Sequence, residues 1–250
     1  MTPSIAQPDV AGADGCRAGW VLVTWRVGAA ARLDVEVVST GDLVARAKTV
    51  AALGIDIPIG LLRGGGARTC DTEARRALGP NRASVFPAPD RTWLEAARVP
   101  GPDAYARARE QARRHTGRSI SVQAFNIAPK VLAIDDALRA TPGLQAVVHE
   151  VHPELAFQAM HGEPLGDSKK SAVGRALRWF LLTRAFAPLG LAAELARLRQ
   201  TPRPSGCLED DVLDACAAAW TARRIVSGTA LSLPAAALVD EYGIRMQIRA

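Results

Sequence analysis

Five carboxylates stand where this chain could gather them into one site. Asp14 ends an apolar stretch in GADGCRAGW (12–20), Asp56 lies inside GIDIPIG (54–60), and Glu150 lies inside VVHEV (147–151). Asp211 and Asp214, three apart in DDVLDACAAAW (210–220), project together if that segment is helical. Carboxylates held close repel one another and destabilise the chain unless a cation lies between them. Mg²⁺ or Mn²⁺ suits such a set, because both are hard ions that prefer carboxylate and water oxygens, and no histidine or cysteine cluster competes. Two such ions can activate a water and stabilise the leaving oxygen of a phosphodiester. The expected chemistry is metal-dependent hydrolysis, with Asp14, Asp56, Glu150, Asp211 and Asp214 as catalytic acids and all but Asp211 as metal ligands.

Other polar residues have a chemical and a plain reading side by side. His152, between Glu150 and Glu154, is a candidate acid, base or orienting group, or a hydrogen-bonded histidine beside a strand. Arg68, Arg75, Lys130 and Lys169 are candidate phosphate contacts, with Lys170 beside the last. Arg68, Arg75 and Asp71 could instead form an internal ion-pair set. Of the five tryptophans, Trp93 alone lies in a basic stretch and could stack on a base. GDSKKS and GLLRGGGAR both miss the phosphate-binding pattern G-x-x-x-x-G-K-[ST], which disfavours nucleotide binding by that route.

The acids need elements to position them. Residues 9–13 lead as a strand into Asp14, GCRAG is a turn, and WVLVTWRV (20–27) and RLDVEVVST (32–40) complete a three-stranded antiparallel meander. GDLVARAKTVAALG (41–54) has apolar residues at helical spacing and a closing glycine, and ALGIDIPIGL (52–61) is apolar throughout, as in a parallel strand covered on both faces. From 62 to about 141 the chain is punctuated by GGG, PAPD and PGP, with helices near 68–78, 103–116 and 129–140. A core strand returns over 145–157, helices follow at about 168–186, 190–199 and 209–227, and the tail ends in a strand. The pattern predicts one α/β domain over 1–250, a mixed sheet of three antiparallel strands followed by parallel ones with helices on both faces, carrying a mainly helical insertion at about 62–141. Whether Asp56 faces the same way as Asp14 hangs on one residue of register, since side chains alternate along a strand.

Composition narrows the class. The chain has 250 residues, 48% of them hydrophobic, and a formal charge of +6. Twelve arginines against six acids between Leu61 and Arg118 supply that whole excess, so the insertion is basic and the remainder neutral. A local excess of this kind fits a nucleic-acid partner, DNA or RNA, or else a solvated helix face. No basic cluster with an apolar run opens the sequence and no window is apolar enough to span a bilayer, so a soluble cytoplasmic protein is expected. Four scattered cysteines form no C-x-x-C pair and read as reduced thiols in the core.

In order along the chain, GADGCRAGW, GIDIPIG, RTCDTEARRALG with SVFPAP, HEVHPELAF, SKKSAVGRALRWFLL and DDVLDACAAAWTA resemble the bacterial family called domain of unknown function 429. The resemblance runs from about Ala13 to Ala222. It implies a ribonuclease H-like fold and a predicted nuclease activity. The first and last motifs also resemble the strand aspartate and D-x-x-D helix of RuvC-type resolvases, which implies metal-ligand roles for Asp14, Asp211 and Asp214. Asp56 matches the family's D-I-P motif and Glu150 its E-x-H-P-E motif. Two other functions fit a related fold: a phosphotransferase of the actin and sugar-kinase type, which usually needs two copies of the core, and a non-catalytic nucleic-acid or protein-binding module that keeps the acids for structure.

Overall fold

A computed structural model describes residues 8–27, 31–203 and 205–250. The first seven residues of the stretch read for a leader, the glycine-alanine break at 28–30 and part of the loop at 201–206 lie outside these. The amino-terminal meander is present as β1 (Val10–Cys16), β2 (Gly19–Arg26) and β3 (Arg32–Val38), paired antiparallel. In β2, Val21 and Val23 enter the core on one face while Trp20 and Leu22 enter the core on the other, which is why the strand reads as continuously apolar. β1 runs two residues beyond Asp14, so the turn shrinks to Arg17 and Ala18. Gly19 follows at φ 138°, and a Cβ there would lie 2.4 Å from the Val38 carbonyl oxygen, so only glycine fits.

α1 (Thr40–Ala47), capped by Ser39, leads to β4 (Ala52–Ile55), which pairs parallel with β1. β4 is shorter than its apolar sequence suggests, because Pro58 and then Gly60 at φ 72° turn the chain out of the sheet. Four helices separate it from the next strand: α2 (Thr69–Leu78), α3 (Arg91–Ala96), α4 (Ala104–Thr116) and α5 (Val122–Ala140). α3 lies outside the helices expected from spacing, and α5 begins seven residues before its expected start. The Ser121 hydroxyl caps the true start, and Pro129 is accommodated inside the helix.

β5 (Val148–Val151) is only four residues long, and α6 (Pro153–His161) begins where the expected strand was to continue. Pro153 takes the first helical position, where its missing N–H costs nothing, and Gly162 ends the helix in the left-handed region. α7 (Ala172–Phe186), α8 (Ala192–Gln200) and α9 (Glu209–Val226) match expectation, and the tail forms a hairpin of β6 (Ser232–Val239) and β7 (Arg245–Arg249).

The sheet order is β3-β2-β1-β4-β5-β7-β6, with β4, β5 and β7 parallel to β1. This is the expected α/β class, a mixed sheet of ribonuclease H-like order. One face packs against α9 with α6 and α7, through Phe157, Leu182 and Ala215 among others; the other packs against α1, α3 and α5 through Leu43, Leu94 and Val131. All four cysteines are buried and free, and Trp93 is buried in the second core, where no base can reach it. Among the described residues no helix is long and apolar enough to cross a membrane.

Candidate active site

Two glycines determine how close α9 comes to the sheet. A Cβ on Gly12 would lie 2.0 Å from the Ala219 amide nitrogen, and one on Gly54 would lie 2.8 Å from the Ala218 carbonyl oxygen. The helix backbone therefore rests directly on β1 and β4, an approach that any larger residue would block. Gly12 and Gly54 are register partners, so both point to the α9 face. Side chains alternate, which puts Asp14 and Asp56, two residues further on, on that face as well. The Asp56 amide donates to the Ala13 carbonyl at 3.1 Å and extends the ladder one step past the last paired residue. Asp56 thus stands just beyond the end of β4, beside Asp14 and facing the same way.

On α9, Asp214 lies one turn before Ala218, and it is buried at 3% exposure. A turn of helix and two residues of strand cover similar lengths, roughly 6 Å, so the step from Gly12 to Asp14 brings that carboxylate level with Asp214. Asp211 sits a further turn back, where its carboxylate accepts the Leu208 amide at 2.7 Å and caps the helix. The structure thus brings Asp14, Asp56 and Asp214 together, with Asp211 at the margin.

The electrostatics follow from that crowding. Asp14 is held well above the ordinary carboxylate range, first by burial and then by the charges of Asp56, Asp214 and Asp211. Burial raises Asp56 to about 6 against the pull of Lys169. It raises Asp214 to about 6 as well, with Lys169 opposing and Asp56 adding to the rise. Lys169, from the loop before α7, donates to Asp214 at 2.5 Å. Burial works against its charge, but Asp214, then Asp56 and Asp14, hold its proton more firmly than usual. One ammonium group faces three carboxylates.

The donor set suits a hard divalent cation, since it offers the oxygens of three carboxylates against the single positive charge of Lys169. Its arrangement is not yet a cage. Among the described residues no three histidine, cysteine, aspartate or glutamate side chains converge tightly enough to enclose an ion, and Lys169 takes the approach to Asp214.

Glu150 is not part of this group. It pairs with Ile55, one residue out of step with Gly54 and Asp56, so its side chain emerges on the opposite face. There it accepts two bonds from Arg68, at 2.8 and 2.7 Å, and one from the Ile59 amide at 2.8 Å. Arg68 is buried, donates also to Asp71 and to the Ile59 and Gly60 carbonyls, and has no surface to offer a substrate. The internal ion-pair reading of Arg68 and Asp71 is the one the geometry supports. Arg75 binds the Val85 carbonyl. Lys130 lays its stem against Gly15 and its ammonium over the Trp20 ring, on the far face from Asp14. His152 stands 3.3 Å from the Ser84 carbonyl through Nε2, while its Nδ1 is buried with no partner; burial lowers its pKa. Glu154 holds Arg178 in a two-bonded pair.

The basic stretch is also less available than its composition suggests. Arg63, Arg68, Arg91, Arg98 and Arg114 are committed to acids, and Arg91 is fully buried between Asp135 and Asp240. Sequence reasoning did not anticipate the two close-approach glycines, although GAD and GID place a glycine at the same interval before each aspartate.

A model of the family described as "Protein of unknown function (DUF429)" matches residues 12–238. No curated protein matches the chain. Two solved structures, of Thermus thermophilus RuvC and of the same protein in complex with a Holliday junction substrate, are 17% identical to it. They cover 88% and 89% of this chain and 97% and 98% of their own, each with a TM-score of 0.39, too low to add weight to any function.

Proposed function

The chain belongs to the DUF429 family, whose function is unknown, and from its aspartate site we propose that it is a Mg²⁺- or Mn²⁺-dependent nuclease. The observation that carries this reading is the convergence of Asp14, Asp56 and Asp214 on one face of the sheet with a single lysine as counter-charge. Asp14, Asp56 and Asp214 would hold the metal, and Asp211 would flank it. When bound, the ions would lower the pKa of a water and neutralise charge on the leaving oxygen, the two-metal chemistry of phosphodiester hydrolysis.

The chain's own residues then have distinct tasks. Asp14 and Asp56, fixed by strand register, define the floor of the site; Asp214, fixed by helix packing on the two glycines, defines its wall. Lys169, partly exposed on a loop, can leave Asp214 and meet a phosphate oxygen. Glu150 and Arg68 have a supporting role: their buried pair fixes the turn after β4 that carries Ile59 and Gly60. Nucleic acid would be held by arginines that have no acid partner among the described residues, including Arg76, Arg82, Arg113 and Arg118. A cytoplasmic location and a single domain with this arginine-rich helical segment as an insertion belong to the same reading.

The bond from Lys169 to Asp214 favours one second reading, a binding module in which the lysine permanently completes the site. Incubating single- and double-stranded DNA and RNA with the parent and Asp214→Asn, in Mg²⁺ and in Mn²⁺, separates the two. Cleavage by the parent alone is expected. A parent that leaves every polymer intact in both ions sinks the nuclease reading.

A further inference from the structure

The row of the sheet that holds the aspartates continues across it. Asp14 is level with Asp56, Asp56 with Val151, and Val151 is paired with Arg249 of β7. All four positions face the α9 side, because register partners in parallel strands project together. Strands lie about 4.8 Å apart, so the Arg249 backbone is roughly 10 Å from that of Asp56, two strands away. Arg245 and Gln247 precede Arg249 on the same face of β7, and His149 lies beside them on β5.

The two arginines form a cationic pair beside the neutral His149 ring, with no acid paired to them among the described residues. Neither Arg245 nor Arg249 makes an ion pair among the described residues. Arg245 donates to the Gln145 carbonyl, and Arg249 reaches only Gln247 Oε1 at 3.5 Å while its Nε is buried without a partner. Burial, then Arg249 and Arg245, push His149 down to about 4, and burial with Arg245 lowers Arg249 itself. The cluster mirrors the aspartate site in that like charges, here those of the two arginines, are held close together. Both arginines and His149 are half-buried, so a small anion can reach them while water screens them only in part.

We propose that Arg249, Arg245 and His149 form a phosphate-binding subsite on the face of the sheet that carries Asp14 and Asp56. The guanidinium of Arg249 can offer a phosphate two parallel N–H bonds from its terminal nitrogens, and Arg245 can add a third beside the His149 ring. The proposal rests on the nuclease reading for one point only: in that setting the bound group is the phosphate of a nucleotide flanking the one at the aspartates.

The test is a titration of the parent with inorganic phosphate, followed through the His149 ring signals by NMR and by calorimetry. Saturable binding that moves those signals is expected. Arg249→Gln should weaken it at least about tenfold, the loss of one charge-assisted pair of bonds, while Arg249→Lys retains part of it and Asp14→Asn leaves it unchanged. Should Arg249→Gln fail to fold, Arg245→Gln is read in the same way. With a single-stranded oligonucleotide, replacing both arginines by glutamine should reduce the salt slope by about 1.4. His149 signals that stay fixed in excess phosphate, or an arginine variant that binds like the parent, would overturn the proposal. The two readings fail separately: phosphate bound here without cleavage of any polymer removes the nuclease, whereas cleavage with no phosphate effect at His149 removes the subsite.

Discussion

Replacing Asp56 by asparagine should stabilise the metal-free protein, and by an amount that depends on pH. Asp56 is half-buried, accepts no hydrogen bond among the described residues, and ionises at about 6 in the folded chain against 3.8 ordinarily. Between these values the folded state holds more protons than the unfolded one, so stability falls as pH rises through the window, and above about pH 6 the full cost is present. A displacement of this size corresponds to roughly 3 kcal/mol. Water at a half-buried carboxylate screens part of it and leaves on the order of 1 to 2 kcal/mol. Asparagine has the same shape without the charge and keeps the backbone bond to Ala13. In a chain of this length the gain should appear as a Tm about 2 to 8 °C above the parent at pH 8 in EDTA, shrinking towards zero at pH 4. The assay is thermal unfolding followed by circular dichroism at both pH values. A variant less stable than the parent at pH 8, or a difference that does not change with pH, would refute the view that these carboxylates are crowded against their own charge.

Two other substitutions separate neighbouring roles. Glu150→Gln should cost about 3 to 5 kcal/mol, because it strips the buried Arg68 of its main partner, yet leave the affinity for Mn²⁺ unchanged, since Glu150 lies on the opposite face. Loss of Mn²⁺ binding in a folded Glu150→Gln protein would return that residue to the site. Lys169→Met should lower the Tm of the metal-free protein at pH 7.5 and raise Mn²⁺ affinity several-fold, since no ammonium group then has to leave Asp214; weaker Mn²⁺ binding would make the lysine a supporting part of the site and not a competitor.

Much of this arrangement was legible along the chain, and its errors share a cause. The meander, α9 and the aspartates at 14, 56 and 214 follow from local alternation and helical spacing, which are properties of short segments. Glu150 was misplaced because an apolar run does not reveal parity: the register of β5 against β4 is fixed by pairing between distant segments, and one residue decides the face. The strand expected over 145–157 hid α6, although Pro153 and Gly162 bracket it as a first helical position and a helix stop would. The basic excess at 62–141 was real in composition but not in availability. Arg91 meets Asp135 and Asp240, 44 and 149 residues away, and no spacing in the sequence announces such partners.

The central claim is that Asp14, Asp56 and Asp214 hold a divalent cation. The direct measurement is a calorimetric titration of Mn²⁺ into the parent and Asp14→Asn at pH 7.5, with thermal unfolding of both. Saturable binding to the parent, abolished in a variant that melts at the parent's temperature or above, is the predicted result. A parent that takes up no Mn²⁺, or an Asp14→Asn protein that binds it as tightly, would contradict the claim and leave Lys169 as the only cation the site accepts.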